Sequence, residues 1–141
     1  MTNTEECLQK GLLKKGTPDF EKAESSLAIA EKRLEEVHKL INLDSDLLLV
    51  QIYMAMFHTA RALLFKDGIK ERSHYCMFLY VKEKYGDKLE ARFLNELNAL
   101  REQRHEILYG LEICKNSLKE RQQLLSTAKD FLKQVRTLLS K

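Results

Sequence analysis

Leu47-Leu-Leu-Val-Gln51-Ile-Tyr-Met-Ala-Met-Phe57-His58-Thr-Ala-Arg61-Ala-Leu-Leu-Phe-Lys66 is apolar nearly all round. A helix of that kind belongs in the middle of a bundle, because a surface helix keeps one polar face. Asp44 or Ser45 is placed to cap its start, and Gly68 follows its end, where a left-handed glycine closes many helices. The segment before it has a different pattern. Phe20, Ala23, Leu27, Ala30, Leu34, Val37 and Ile41 recur at alternating spacings of three and four, with charged residues between them. That is an apolar seam suited to packing along another helix. Thr17-Pro18 reads as its N-cap and first helical position.

The same signals recur outward from this pair. A short first helix is expected from Thr4 to Lys15, ending at Gly16. Ser73 opens a fourth helix that stops at Tyr85-Gly86, and Asp87-Lys-Leu-Glu90 opens a fifth, ending near Gly110. Ser117-Leu-Lys-Glu120 is a capping box for a sixth, whose stripe is Leu118, Leu125, Ala128, Leu132, Val135 and Leu139. No convincing strand, internal repeat or linker interrupts the series. Short connections make neighbours antiparallel. The expected fold is all-α: an up-and-down bundle of four to five main helices plus a short N-terminal helix, a single domain over residues 1–141.

Composition agrees. The chain has 141 residues, 44% hydrophobic and 32% charged, with no Trp and one Pro, a profile of a folded helical protein. No apolar run is expected to approach the ~18 residues that span a bilayer. Met1-Thr-Asn-Thr-Glu-Glu has no signal-peptide pattern, so a cytoplasmic location and no membrane partner are expected. Cys7, Cys76 and Cys114 are odd in number and widely spaced, which favours free thiols. The net charge of +3 is mild; it admits an acidic partner without requiring one.

Three groups of polar residues break the apolar pattern. In Leu100-Arg101-Glu-Gln-Arg104-His105-Glu-Ile-Leu108-Tyr109-Gly110, Arg104 falls in the sector occupied by Phe93, Leu97, Leu100, Leu108 and Leu111, and Arg101 falls inside it too. An arginine stays charged and is costly to bury unpaired. It either runs its stem along the leucines to water or serves something on that face. Gln51, His58 and Arg61 interrupt the central helix; a solvated edge would explain them as well as a site would. Lys70-Glu-Arg72-Ser73-His74-Tyr75 is a loop followed by a helix start, where amides and Arg72 could hold a phosphate, or where Ser73 simply caps. Nucleotide-binding glycine loops, zinc motifs and the Gly-x-Ser-x-Gly elbow are absent, and no cofactor or metal is expected.

Tyr53-Met-Ala-Met-Phe57-His58-Thr-Ala-Arg61-Ala-Leu-Leu-Phe-Lys-Asp-Gly68-Ile69, followed by Ser73-His74, resembles the HEPN domain (higher eukaryotes and prokaryotes nucleotide-binding). Arg104, four residues, then Tyr109-Gly110 fits the end of that family's next long helix, as Phe131-Leu132 fits its last. The resemblance covers about residues 20–139. It implies a helical bundle, commonly a homodimer, binding nucleotide or RNA, often partnered with a minimal nucleotidyltransferase as a toxin–antitoxin pair. Members that cut RNA without metal carry Arg, four to six residues, then His. Here Arg104 is followed at that distance by Tyr109, a poor base at neutral pH, and Arg101 precedes His105 by one residue too few. The chain resembles the branch with Arg-x4-Tyr.

The expected binding residues are therefore Arg104, Arg101, Tyr109, His58, Arg61, Arg72 and His74. Arg104, His105 and Tyr109 are the candidates if catalysis occurs. Two alternatives stand beside binding: a metal-independent ribonuclease toxin, and a non-catalytic dimeric helical scaffold. Whether Arg104, Arg61 and His58 converge is decided by no local spacing.

Overall fold

The computed structural model describes residues 3–111 and 115–140. In chain order the elements are α1 (Thr4–Gln9), β1 (Leu13–Lys15), α2 (Phe20–Lys39), α3 (Leu47–Asp67), β2 (Ile69–Glu71), α4 (His74–Tyr85), α5 (Ala91–Tyr109) and α6 (Leu118–Leu139). The fold is all-α, with β1 and β2 as one small antiparallel pair.

The apolar helix is the hub. α3 packs against α2, α4, α5 and α6, and twelve of its residues are buried, from Leu48 to Leu64. It is long and apolar enough to cross a membrane, contrary to the expectation that no run comes near that length. However, 67% of that stretch is buried inside the bundle, as a core helix requires. The seam on α2 holds from Ala23 to Val37. Phe20, the first residue of the helix, departs from it and is 57% exposed. α6 buries Leu125, Ala128, Phe131, Leu132, Val135 and Leu139, while Leu118 stays exposed.

Caps explain where the helices start and stop. Ser117 and Glu120 form the expected capping box, and Ser73 Oγ accepts the Cys76 amide at 3.1 Å. Two expected starts are corrected. Asp19, not Thr17, caps α2: its carboxylate accepts the Lys22 amide at 3.0 Å, while its own N–H donates to the Phe65 carbonyl at 2.8 Å. α5 begins at Ala91 with no side-chain cap from Glu90, after a turn over 86–88. At α3, Ser45 Oγ accepts the Leu47 amide at 3.3 Å. Gly68 ends α3 at φ 73°, and a Cβ there would stand 2.5 Å from the Gly16 carbonyl oxygen. Both its backbone angle and its neighbour require glycine.

That close approach accounts for the strands missed in the sequence. α1 stops at Gln9, and Gly11 turns the chain at φ 70°. Leu13, Lys14 and Lys15 then pair with Glu71, Lys70 and Ile69. Three residues are too few to show an alternation.

The free-thiol expectation is corrected as well. Cys7 and Cys76 form a disulfide between α1 and α4. Both are fully buried, brought together across 69 residues of chain by the packing of α1 on α4. Closing a loop of that length stabilises the fold by roughly 4 kcal/mol on the chain-entropy account. Cys114 lies outside the described residues. The argument from cysteines for a reducing compartment therefore falls.

Candidate functional site

Tyr53, Phe57, Arg61 and Phe65 follow one another every four residues along α3, one turn apart on a common stripe. The stripe meets the start of α4. The Tyr53 hydroxyl lies 2.6 Å from His74 Nδ1. Phe57 stacks on the His74 ring, centroids 4.3 Å apart and planes 14° from parallel. Ser73 sets this geometry from the backbone, because its cap fixes where α4 begins and so where His74 points.

Three arginines act electrostatically on the imidazole. Arg61 lies 4.9 Å from the Phe65 ring and 5.9 Å from the Phe57 ring. Its Nε is 2.8 Å from Glu71 Oε1 but off the angle of a hydrogen bond, so the contact is an ion pair. From α5, Arg101 lies over the Tyr75 ring at 5.0 Å and donates to Asn98 Oδ1 through Nε and a terminal nitrogen. Arg104 is half-buried, with no hydrogen bond or ion pair among the described residues.

These charges are felt at the centre. Burial lowers the His74 pKa, and Arg104, Arg101 and Arg61 lower it further. The imidazole is therefore neutral at pH 7. Burial also pushes the Tyr53 phenol up to about 12, against a smaller opposing pull from Arg104 and Arg101. A neutral phenol beside a neutral imidazole suits a hydrogen bond from Tyr53 to Nδ1, which leaves the proton on Nε2 as a donor for a ligand.

The expected residues divide cleanly. Arg104, Arg101, Arg61 and His74 share one cluster. His58 sits at its flank, edge-on to Phe57 with ring centroids 5.5 Å apart. Its pKa is lowered by burial, then by Arg61 and Arg33. Gln51 is exposed and stays outside. Tyr109 does not join: it is 69% exposed and its ring pairs with exposed His105, 5.2 Å away. The apolar sector of α5 ends at Leu100, since Leu108 is 42% and Leu111 100% exposed. Arg72 lines a separate groove that shares Arg61. Tyr53, Phe57 and Tyr75 were not expected as site residues; the four-residue stripe was the signal for the first two.

A groove of about 610 Å³ lies elsewhere, between α5 and α6 beside Arg92 and Glu120. Arg92 is already paired with Glu90 and Asp130, so that groove offers an anion little. No group of three His, Cys, Asp or Glu side chains fit for a metal ion occurs among the described residues.

A helical domain with arginines from two helices gathered around a stacked, neutral histidine is a candidate anion-binding domain. The chain matches the HEPN domain over residues 20–139 and belongs to that family. No curated protein matches it.

Proposed function

We propose that this HEPN domain binds a nucleotide or RNA at the Tyr53–His74 cluster and that the binding is not catalytic. One observation carries the reading: Arg104 faces His74 and Tyr53 electrostatically yet has no carboxylate partner among the described residues. A half-buried cation without a partner is costly unless a ligand supplies the counter-charge. Arg104, Arg101 and Arg61 would meet phosphate, and Nε2 of His74 would donate a hydrogen bond. Titration calorimetry with ATP and a short RNA tests this. Saturable binding lost in Arg104→Ala, with the melting temperature retained, is the expected result. Equal affinity in the variant overturns it.

A ribonuclease reading gains one specific support and changes residue. His105 stands on an exposed turn beside Tyr109, whereas His74 lies inside the cluster and would take a proton only in its other tautomer, with Nδ1–H donated to the Tyr53 hydroxyl and Nε2 left free. Cleavage of RNA in EDTA that disappears in His74→Ala would establish it; intact RNA after long incubation would remove it.

The proposed partners follow the family. A minimal nucleotidyltransferase would be the protein partner, in a toxin–antitoxin-like pair. A second copy would cover the apolar side chains left exposed around the end of α2 and the end of α5. There Leu40, Leu43 and Leu47 lie exposed with Leu108, Tyr109 and Leu111, more apolar side chains than one free helix end normally shows. Sedimentation of Leu108→Glu and Leu111→Glu variants as monomers, against a wild-type dimer, is the expected outcome. The setting proposed is cytoplasmic. Fluorescence microscopy of the tagged chain checks it: a diffuse cytosolic signal is expected, and a signal confined to an oxidising compartment, where a disulfide such as Cys7–Cys76 persists, overturns it.

A further inference from the structure

The small strand pair carries an arrangement that local rules disfavour. Lys14 stands directly opposite Lys70. Like charges facing each other across two strands destabilise the pair, and a pair of three-residue strands has little stability to lose. Neither lysine forms an ion pair among the described residues. Both are exposed, as is Arg72 just beyond β2.

These side chains line an open groove of about 560 Å³, closed on its other side by Lys22 of α2 and by Arg61 and Phe65 of α3. Five cations meet a single lining carboxylate, Glu71, and Glu71 is engaged by Arg61. Lys22 Nζ lies 5.9 Å from the half-buried Phe65 ring. Lys14, Lys22, Lys70 and Arg72 are left without any acidic partner among the described residues.

Arg61 belongs to both places. It lines this groove and also acts electrostatically on His74. The two sets of cations thus share one guanidinium, and each carries an aromatic ring: Phe65 against Arg61 and Lys22 in the groove, Tyr75 against Arg101 in the cluster. A mononucleotide concentrates its phosphates at one point and would engage one set. A ligand engaging both must carry phosphates spaced along a flexible backbone and bases that stack, which is the chemistry of single-stranded nucleic acid.

We infer that the groove of Lys14, Lys22, Lys70 and Arg72 holds the backbone phosphates of a single-stranded RNA whose adjoining nucleotide occupies the Tyr53–His74 cluster. This rests on the nucleotide- or RNA-binding reading of that cluster.

The test uses fluorescence anisotropy on the full chain, with labelled oligouridylates of two and of twelve nucleotides over a salt series. The twelve-mer should bind wild type at least tenfold more tightly than the dinucleotide. Lys14→Glu with Lys70→Glu should weaken the twelve-mer about tenfold or more and flatten its salt slope by about 1.4, since each phosphate contact on a single strand contributes about 0.7. Dinucleotide binding should stay within twofold. Lys70→Glu alone should melt no lower than wild type, because it turns a like-charge pair into an opposite-charge one; that separates lost binding from lost folding. Arg104→Ala should weaken both ligands. A twelve-mer bound no tighter than the dinucleotide, or unaffected by the double reversal, overturns the groove while leaving the His74 cluster intact. Failure of wild type to bind either ligand overturns both readings.

Discussion

Two arginines in this fold make opposite use of the same side chain. Arg121 of α6 is the buried one, 5% exposed. Its Nε donates to the Ile41 carbonyl at 3.0 Å, a terminal nitrogen donates to the Asn116 carbonyl at 2.7 Å, and Asp44 lies 3.5 Å away. It ties the α2–α3 connection to the start of α6, with the protein supplying every partner. Arg104 of α5 is only half-buried and has no such partner among the described residues. A charge satisfied by two backbone carbonyls is a structural clamp; a charge with no such partner is, on the proposed reading, the one that meets an anion. Burial alone would have ranked them the wrong way for function.

The largest effect should come from Arg121. Replacing it with Ala leaves two carbonyls without their donor and should cost about 3 kcal/mol. That is a fall in melting temperature of roughly 10 °C for a domain of this size. Nucleotide affinity at the temperature where the variant remains folded should be unchanged. Arg121→Lys should fall between, because one ammonium cannot reproduce the two-pronged contact. A variant that melts like wild type would break the comparison from the structural side.

Arg104→Ala should show the reverse. Losing one charge-assisted contact to phosphate should weaken binding by about 2 kcal/mol, roughly thirtyfold. Melting should stay within about 0.5 kcal/mol of wild type, as for other substitutions away from a satisfied network. Calorimetry and thermal melts on the same preparation read both quantities.

A smaller effect is expected of Tyr53→Phe. It keeps the buried ring and removes the hydrogen bond to His74, which should cost about 1 kcal/mol of stability and weaken ligand binding by loosening the His74 tautomer. Rescue of melting without rescue of binding, in a background carrying a stabilising mutation elsewhere, would show that the bond serves packing and binding separately.

The smallest effect is in pH. The folded pKa of His74 lies below its ordinary value because of burial and three arginines. The unfolded chain, titrating near 6.5, therefore takes up this proton first as pH falls. The stability that depends on a neutral His74 is complete above about pH 6.5. It declines as pH drops through that value towards the lower folded pKa, then levels. Arg104→Ala removes one of the lowering charges and should raise the folded midpoint in an NMR titration. Arg121→Ala should leave it where it is, and a shift there would blur the two roles.

How much of this could be seen in the sequence depends on range. The 3.6-residue periodicity on α2, the all-round apolarity of α3 and the Ser117–Glu120 box are local, and each led to the right element. The strands are too short for periodicity to show, and the disulfide joins residues far apart in the chain. At the site, His74, Arg61, Arg101 and Arg104 were named from three separate breaks in the apolar pattern. Tyr109 and His105 were named with them and lie apart, on the exposed side of the last turns of α5, where Ile107 still packs on the core. Arg121 went unnoticed: on a helix rich in charge, one arginine turned inward gives no signal of its own.

By itself, then, the sequence determined the main helices, their order and most of the apolar faces that α2, α3 and α6 bury, because side-chain spacing along a helix is set by the backbone repeat. Only the tertiary structure decided which cations share a space and which have partners. Electrostatic energy depends on distances between residues dozens of positions apart, and those distances exist only once α3, α4 and α5 are packed together.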